Sequence, residues 1–78
     1  MKRGPYNVVV GARVRERRLA LGKTLEEVAD ALELNKSNIL RYETGESGIG
    51  VETLVALGHC LNWPAKKFLE GIEEEGVK

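Results

Sequence analysis

Cys60 and His59 are the only cysteine and the only histidine in the chain, and they are neighbours. On a helix, adjacent side chains diverge by about a hundred degrees, which keeps a thiol and an imidazole out of hydrogen-bond reach. A Cys–His nucleophile is therefore not expected. Cys60 reads as a small buried residue and His59 as a surface one. A single cysteine can make neither an internal disulfide nor a Cys-only metal site. No carboxylates stand at a spacing that would complete a zinc site around His59, and neither a Gly-rich phosphate loop nor a paired-carboxylate site is visible. The expectation is a chain that is not an enzyme, with no metal and no cofactor. A lone reduced cysteine agrees with a cytoplasmic protein.

What is left to do chemistry is charge and hydrogen bonding. Lys plus Arg number 12 and Asp plus Glu number 12, for a net charge of zero. The zero hides a gradient. Residues 1–23 carry seven basic groups against Glu16 alone, a net +6, while residues 24–48 total −4 and residues 49–78 total −2. Such a distribution allows a basic face on a neutral molecule. On charge alone, Arg13 to Arg18 reads first as the solvated surface of a helix.

The elements that must position these groups come from a short chain. Its 78 residues suit one small domain, and 42% apolar with 31% charged residues is the mix of a packed, charge-coated one. Tyr6, Tyr42, Trp63 and Phe68 are the only aromatics, so the core must be mostly Leu, Val and Ala. The longest apolar run, Val8 to Val10, falls far short of the ~20 residues of a membrane span, and no signal peptide follows Lys2 and Arg3.

Periodicity predicts a helix over Val8 to Leu21, with Val10, Val14 and Leu21 on one stripe. Arg18 falls on that stripe, so it needs a buried acid, because an unpaired buried charge is far too costly. Gly22 ends this helix. Thr24-Leu25-Glu26-Glu27 is a capping box, and Leu25, Val28, Ala29 and Leu32 follow at helical spacing. Glu33 and Leu34 then lead to Asn35, a strong N-cap for a third helix from Lys36 to Thr44 with Ile39 and Tyr42 inward and Gly45 as its stop. A loop over 46–50 precedes a fourth helix, Val51 to Leu61. There Gly58 on the stripe suggests close approach by another helix. Pro64 suits the first turn of a fifth helix, with Phe68 and Leu69 buried and Gly71 as its stop. The layout is an all-α bundle of about five short helices. It has an N-terminal arm over 1–7, a domain over 8–70 and an acidic tail over 71–78.

Two short helices joined by a tight turn, the second with a polar outer face, outline a helix-turn-helix over residues 25–44. Ala29 sits where the two would cross. At this point the sequence resembles the phage-repressor type of helix-turn-helix, the xenobiotic-response-element family that includes lambda-type repressors. The matching text is Gly11-Ala-Arg-Val-Arg15, Thr24-Leu-Glu-Glu-Val-Ala29, Leu34-Asn-Lys-Ser-Asn-Ile-Leu-Arg-Tyr-Glu-Thr-Gly45 and Glu52-Thr-Leu54, with Leu61 and Phe68-Leu69. The likeness spans about residues 8–70.

The resemblance implies a lambda repressor-like fold and a transcriptional regulator, of repressor type, that binds double-stranded DNA. It also implies a partner for Arg18, namely Glu43 at the end of the third helix. That helix would lie in the major groove, with Asn35, Lys36, Ser37 and Arg41 as base-reading candidates and the Asn35 cap role dominant. Leu40, apolar at an outward position, would meet a thymine methyl or plain solvent. Backbone-phosphate contacts would come from Thr24 and the Leu25 amide, with Lys23, Arg13, Arg17, Asn38 and the hydroxyl and amide of Ser47. Leu25 stands where many relatives carry a phosphate-binding Gln. Glu33 stands where the turn usually has Gly, so it must either tolerate a left-handed conformation or bend the turn differently. Glu26, Glu27 and Glu46 lie near the expected DNA side and would repel phosphate.

One third helix offers few base-reading side chains, so a symmetric homodimer on a palindromic operator is expected. Trp63, Phe68, Leu69 and Ile72 are the candidate dimer residues. No small-molecule ligand and no membrane partner are expected, and the setting is the cytoplasm, at the nucleoid, of a bacterial or phage system. The competing reading is a protein-interaction module on the same fold, such as an antitoxin, coactivator or anchor domain, with weak or no DNA binding.

Overall fold

The computed structural model describes residues 5–73, which form five helices and no strand. They are α1 (Pro5–Ala20), α2 (Leu25–Leu32), α3 (Lys36–Thr44), α4 (Val51–Leu61) and α5 (Ala65–Leu69). Residues 1–4 of the expected arm and 74–78 of the expected acidic tail lie outside the described residues. α1 starts at Pro5, so residues 5–7, expected in the arm, form its first turn. A proline pre-sets the helical φ and has no N–H to leave unpaired there. No helix of the described residues is long and apolar enough to cross a membrane.

The core is Val10 and Val14 of α1, Val28 and Ala29 of α2, Ile39 of α3, Leu54, Leu57 and Leu61 of α4, and Phe68 of α5. Leu25, Leu32, Leu34 and Tyr42 pack against it half-buried. Two expected core residues are outside. Leu21 is exposed because α1 stops at Ala20 and the terminal turn swings the next residue off the stripe. Leu69 is exposed because five residues of α5 give only one inward position, and Phe68 fills it.

Helices α1, α2 and α4 end the same way. Backbone bonds Lys23 N to Arg18 O at 3.0 Å, Leu34 N to Ala29 O at 2.8 Å and Trp63 N to Gly58 O at 2.8 Å wrap around a left-handed residue, the geometry of a Schellman motif. That residue is Gly22 in α1, but Glu33 (φ 58°) in α2 and Asn62 (φ 58°) in α4. Of the two outcomes open to Glu33, the left-handed conformation is the one the turn takes.

Two glycines set helix spacing. A methyl group on Gly11 would collide with the carbonyl oxygens of Tyr42 and Glu43, so α1 crosses directly over the end of α3. A methyl on Gly58 would strike the Trp63 carbonyl oxygen. The close approach at Gly58 is therefore made by the α4–α5 turn and not, as expected, by another helix.

Over the α1–α3 crossing lies the ion pair. Arg18 Nε donates to Glu43 Oε2 at 2.6 Å and Nη2 to Oε1 at 2.9 Å, a two-pronged contact. The side chains are 10% and 1% exposed. Nη1 donates to the Lys23 carbonyl at 2.9 Å. The Glu43 hydrogen bond holds the Arg18 guanidinium above its ordinary pKa, against the opposing effect of burial.

Two stability outcomes follow from this packing. Glu43→Ala or Arg18→Ala should cost about 3–5 kcal/mol in urea unfolding, since each strands a buried charge, whereas the double change to Arg18→Met and Glu43→Leu should be close to neutral. Additive losses in the double variant would show that the pairing is not what matters. Glu33→Gly should gain about 0.5–1 kcal/mol, raising the melting temperature by a few degrees, because relief of left-handed strain exceeds the added chain entropy. An unchanged or lower melting temperature would contradict this.

Candidate functional site

Helices α2 and α3 each begin at a capped N-terminus. At α2 the Thr24 hydroxyl accepts from the Glu27 amide at 3.0 Å while the Glu27 carboxylate accepts from the Thr24 amide at 2.8 Å. The Thr24 backbone N–H, then its hydroxyl, holds the Glu27 carboxyl below its ordinary pKa. At α3, Asn35 Oδ1 accepts from the Asn38 amide at 3.0 Å and from the Ser37 hydroxyl at 2.7 Å. The cap role expected of Asn35 is in place.

Each cap uses the third amide of its helix and leaves the first ones pointing outward, where partial positive charge accumulates. Among the described residues the amides of Leu25 and Glu26, and those of Lys36 and Ser37, donate to no protein acceptor. An open cleft is lined by Lys23, Thr24, Leu25, Glu26 and Lys36 together with the aliphatic edge of Leu19. The start of α2 and the first residue of α3 thus share one concave surface carrying two ammonium groups. Glu26 on its wall is the one acid among these lining residues.

The rest of α3 divides cleanly. Ile39 and Glu43 are buried, Tyr42 is half-buried, and Lys36, Ser37, Leu40 and Arg41 are exposed. Asn38 is half-buried on the flank, with its side-chain amide unengaged among the described residues. Beyond Gly45, the Ser47 amide donates to the Arg41 carbonyl at 3.2 Å, so this amide is not available as an anion donor and only the hydroxyl is.

Arg13 and Arg17 are not brought to this surface. Arg17 Nε donates to the Leu61 carbonyl at 2.9 Å and Nη2 reaches the Asn62 carbonyl at 3.4 Å, while its guanidinium lies 5.0 Å from the centre of the Trp63 ring. Arg13 Nη1 donates to the Phe68 carbonyl at 3.2 Å. Both cations thus sit on the carbonyl ends of α4 and α5, where the helix dipole favours them. Their assignment as phosphate contacts does not fit this placement. No local pattern could have found these partners, which are 44 and 55 residues away.

The four residues expected at a dimer surface are scattered in role. Phe68 is fully buried core and is not available to a partner. Trp63 is half-buried between Arg17 and Phe68, whose ring centre is 5.3 Å away. Leu69 is 44% exposed, and Ile72 is half-buried beside it along a shallow surface with Gly71 and Glu73. His59 is exposed and Cys60 half-buried on α4, and no group of His, Cys, Asp or Glu among the described residues is placed to hold a metal.

This arrangement has known counterparts. The chain is 32% identical over 75 residues to HTH-type transcriptional regulators of Sinorhizobium medicae and Rhizobium meliloti, an overlap of 96% of this chain and 54% of theirs. It therefore spans about half the length of these curated relatives. The clp gene regulator ClgR of Corynebacterium glutamicum shares the fold with a TM-score of 0.81 and 25% identity, over 88% of this chain and 90% of that one. The restriction-modification controller protein C.AhdI of Aeromonas hydrophila does so with a TM-score of 0.76 and 26% identity, over 80% and 94%. Helix-turn-helix family likeness runs through residues 14–64, from the middle of α1 to the proline before α5 and across the whole capped α2–α3 surface. On that match the chain belongs to the helix-turn-helix family of transcriptional regulators, of the phage-repressor type.

Proposed function

We propose that the chain binds double-stranded DNA sequence-specifically, with α3 in the major groove, and regulates transcription as a repressor. The observation that carries this reading is the shared cleft of α2 and α3. It brings the start of α2 with Lys23 together with Lys36, beside an α3 face whose other outward residues are Ser37, Leu40 and Arg41. Lys36 and Arg41 suit the guanine O6 and N7 acceptors, and the amides of Leu25 and Glu26 with the Thr24 hydroxyl suit phosphate oxygens. Asn38 and the Ser47 hydroxyl flank this path. The site of action is the cytoplasm, at the nucleoid. The exposed Leu40 and the zero net charge favour the competing protein-interaction reading, which is separated from this one by the same titration.

Gel-shift titration over a range of salt concentrations tests the division of roles. Arg41→Ala should lose about 1–3 kcal/mol on the preferred site and relax selectivity at one position. Lys23→Ala should weaken binding on all sequences alike and flatten the salt dependence by about one ion. Uniform weakening by Arg41→Ala would falsify the base-reading assignment, and no salt-sensitive binding at all would favour the protein-partner reading.

The same reading calls for a twofold dimer on a palindromic operator. A single α3 presents too few base-reading side chains to distinguish one site among a genome's many, and a second copy doubles them. Leu69 and Ile72, with the open edge of Trp63, are the surface for it. Sedimentation with operator DNA should show two chains per site, with half-sites about 34–36 Å apart. Leu69→Glu should reduce this to one chain with much weaker binding. A one-to-one complex on a site lacking a dyad would end the proposal.

A further inference from the structure

The hydrogen bonds at the start of α3 limit what two of its side chains can still offer. Asn35 Oδ1 faces the Asn38 amide at 3.0 Å, and an N–H there requires the oxygen of the Asn amide opposite it. The Ser37 hydroxyl spends its single proton on that same oxygen at 2.7 Å. Asn35 is left with the two N–H groups of Nδ2, both donors. Ser37 is left with oxygen lone pairs, acceptors only. Both residues are exposed on the outer side of α3.

Resting on the reading of α3 as the groove-facing helix, we infer that the Asn35–Ser37 bond fixes the hydrogen-bond polarity of the protein's base readout: Ser37 accepts from an exocyclic base amine, adenine N6 or cytosine N4. An isolated serine hydroxyl could turn to donate or accept and would tolerate either edge. Here turning it would surrender a short bond at a surface that DNA shields from water, where an unmet acceptor is expensive. Asn35, meanwhile, can only donate outward. Lys36 and Arg41 carry donors alone. Ser37 is therefore the one acceptor among the four base-reading candidates, and the operator must present an amine to it.

The test uses the intact chain and a high-affinity DNA site selected by the wild-type protein from a random library. Single bases in that site are replaced by analogues. Purine in place of adenine, or 2-pyrimidinone in place of cytosine, removes the amine. 7-Deazapurines remove the N7 acceptor and keep the amine. At one position, amine removal should weaken wild-type binding about 3- to 10-fold, and Ser37→Ala should be insensitive to it. A 7-deaza change of the purine in that base pair should affect both proteins equally. Asn35→Asp keeps an oxygen for the cap and for Ser37, so it should retain the amine dependence. Melting curves check that each variant folds. Coupling of Ser37→Ala to a 7-deaza base instead of an amine would overturn the inference, as would coupling at no position. A wild-type protein that selects no DNA sequence would instead bring down the DNA reading, and the inference with it.

Discussion

Arg18 with Glu43 is the contact on which the relative placement of the first three helices depends. One guanidinium holds the Glu43 carboxylate of α3 and the Lys23 carbonyl one residue before the α2 cap. The C-terminal turn of α3 and the N-terminal end of α2 are thereby referenced to one planar, rigid group carried on α1. An apolar side chain in its place could fill the space but could not fix the direction of either neighbour. Buried pairs are weak evidence for net stability, and in this chain the pair is better understood as specifying geometry. Gly11 serves the same end, since only a residue without a side chain lets α1 come close enough for Arg18 to reach.

The same helix explains why charge counts overstate the basic face. Of its arginines, Arg18 is buried against Glu43 while Arg13 and Arg17 reach the carbonyl ends of α5 and α4. Part of the +6 of the N-terminal segment is therefore engaged within the molecule, Arg18 by a carboxylate and Arg13 and Arg17 by backbone carbonyls, while Arg15 is exposed. The cations at the α2–α3 surface are Lys23, Lys36 and Arg41, opposed by Glu26 and by Glu27, whose ionised form the cap hydrogen bonds favour. On the DNA reading, such a surface has little sequence-independent attraction to give, so a larger share of affinity must come from contacts to base edges.

How much of this was legible before the structure differs by element, for physical reasons. The bounds of α2, α3 and α4 were readable because their ends are encoded locally, in the Thr24–Glu27 box, the Asn35 cap, Gly45 and the break at Asn62. The Arg18–Glu43 pair was readable in part. The apolar stripe demands an acid for Arg18, and only the family resemblance says which one. The start of α1 was misplaced although Pro5 carried a usable signal at the first helical position. Leu21 was misjudged because periodicity assumes that α1 continues through it, and Leu69 because the one fully buried position of the short α5 falls to Phe68. The engagement of Arg13 and Arg17, and the turn lying on Gly58, arise from residues brought together only by the fold.

Capping then links the folding of the site to what it can recognise. A helix start has orphan amides, and a cap side chain removes one of them while orienting the rest. At α2 the carboxylate and hydroxyl of the capping box satisfy each other's backbone, so what faces outward is the pair of amides at Leu25 and Glu26. These are backbone groups, and they cannot distinguish one base from another. At α3 the cap is an asparagine whose oxygen is already shared with Ser37, so the outward amides of Lys36 and Ser37 are joined by side chains of fixed polarity. The two N-termini are built from the same device, yet on the DNA reading the choice of Thr with Glu at one and Asn with Ser at the other would give them different work. The first suits holding any phosphate. The second suits choosing a base.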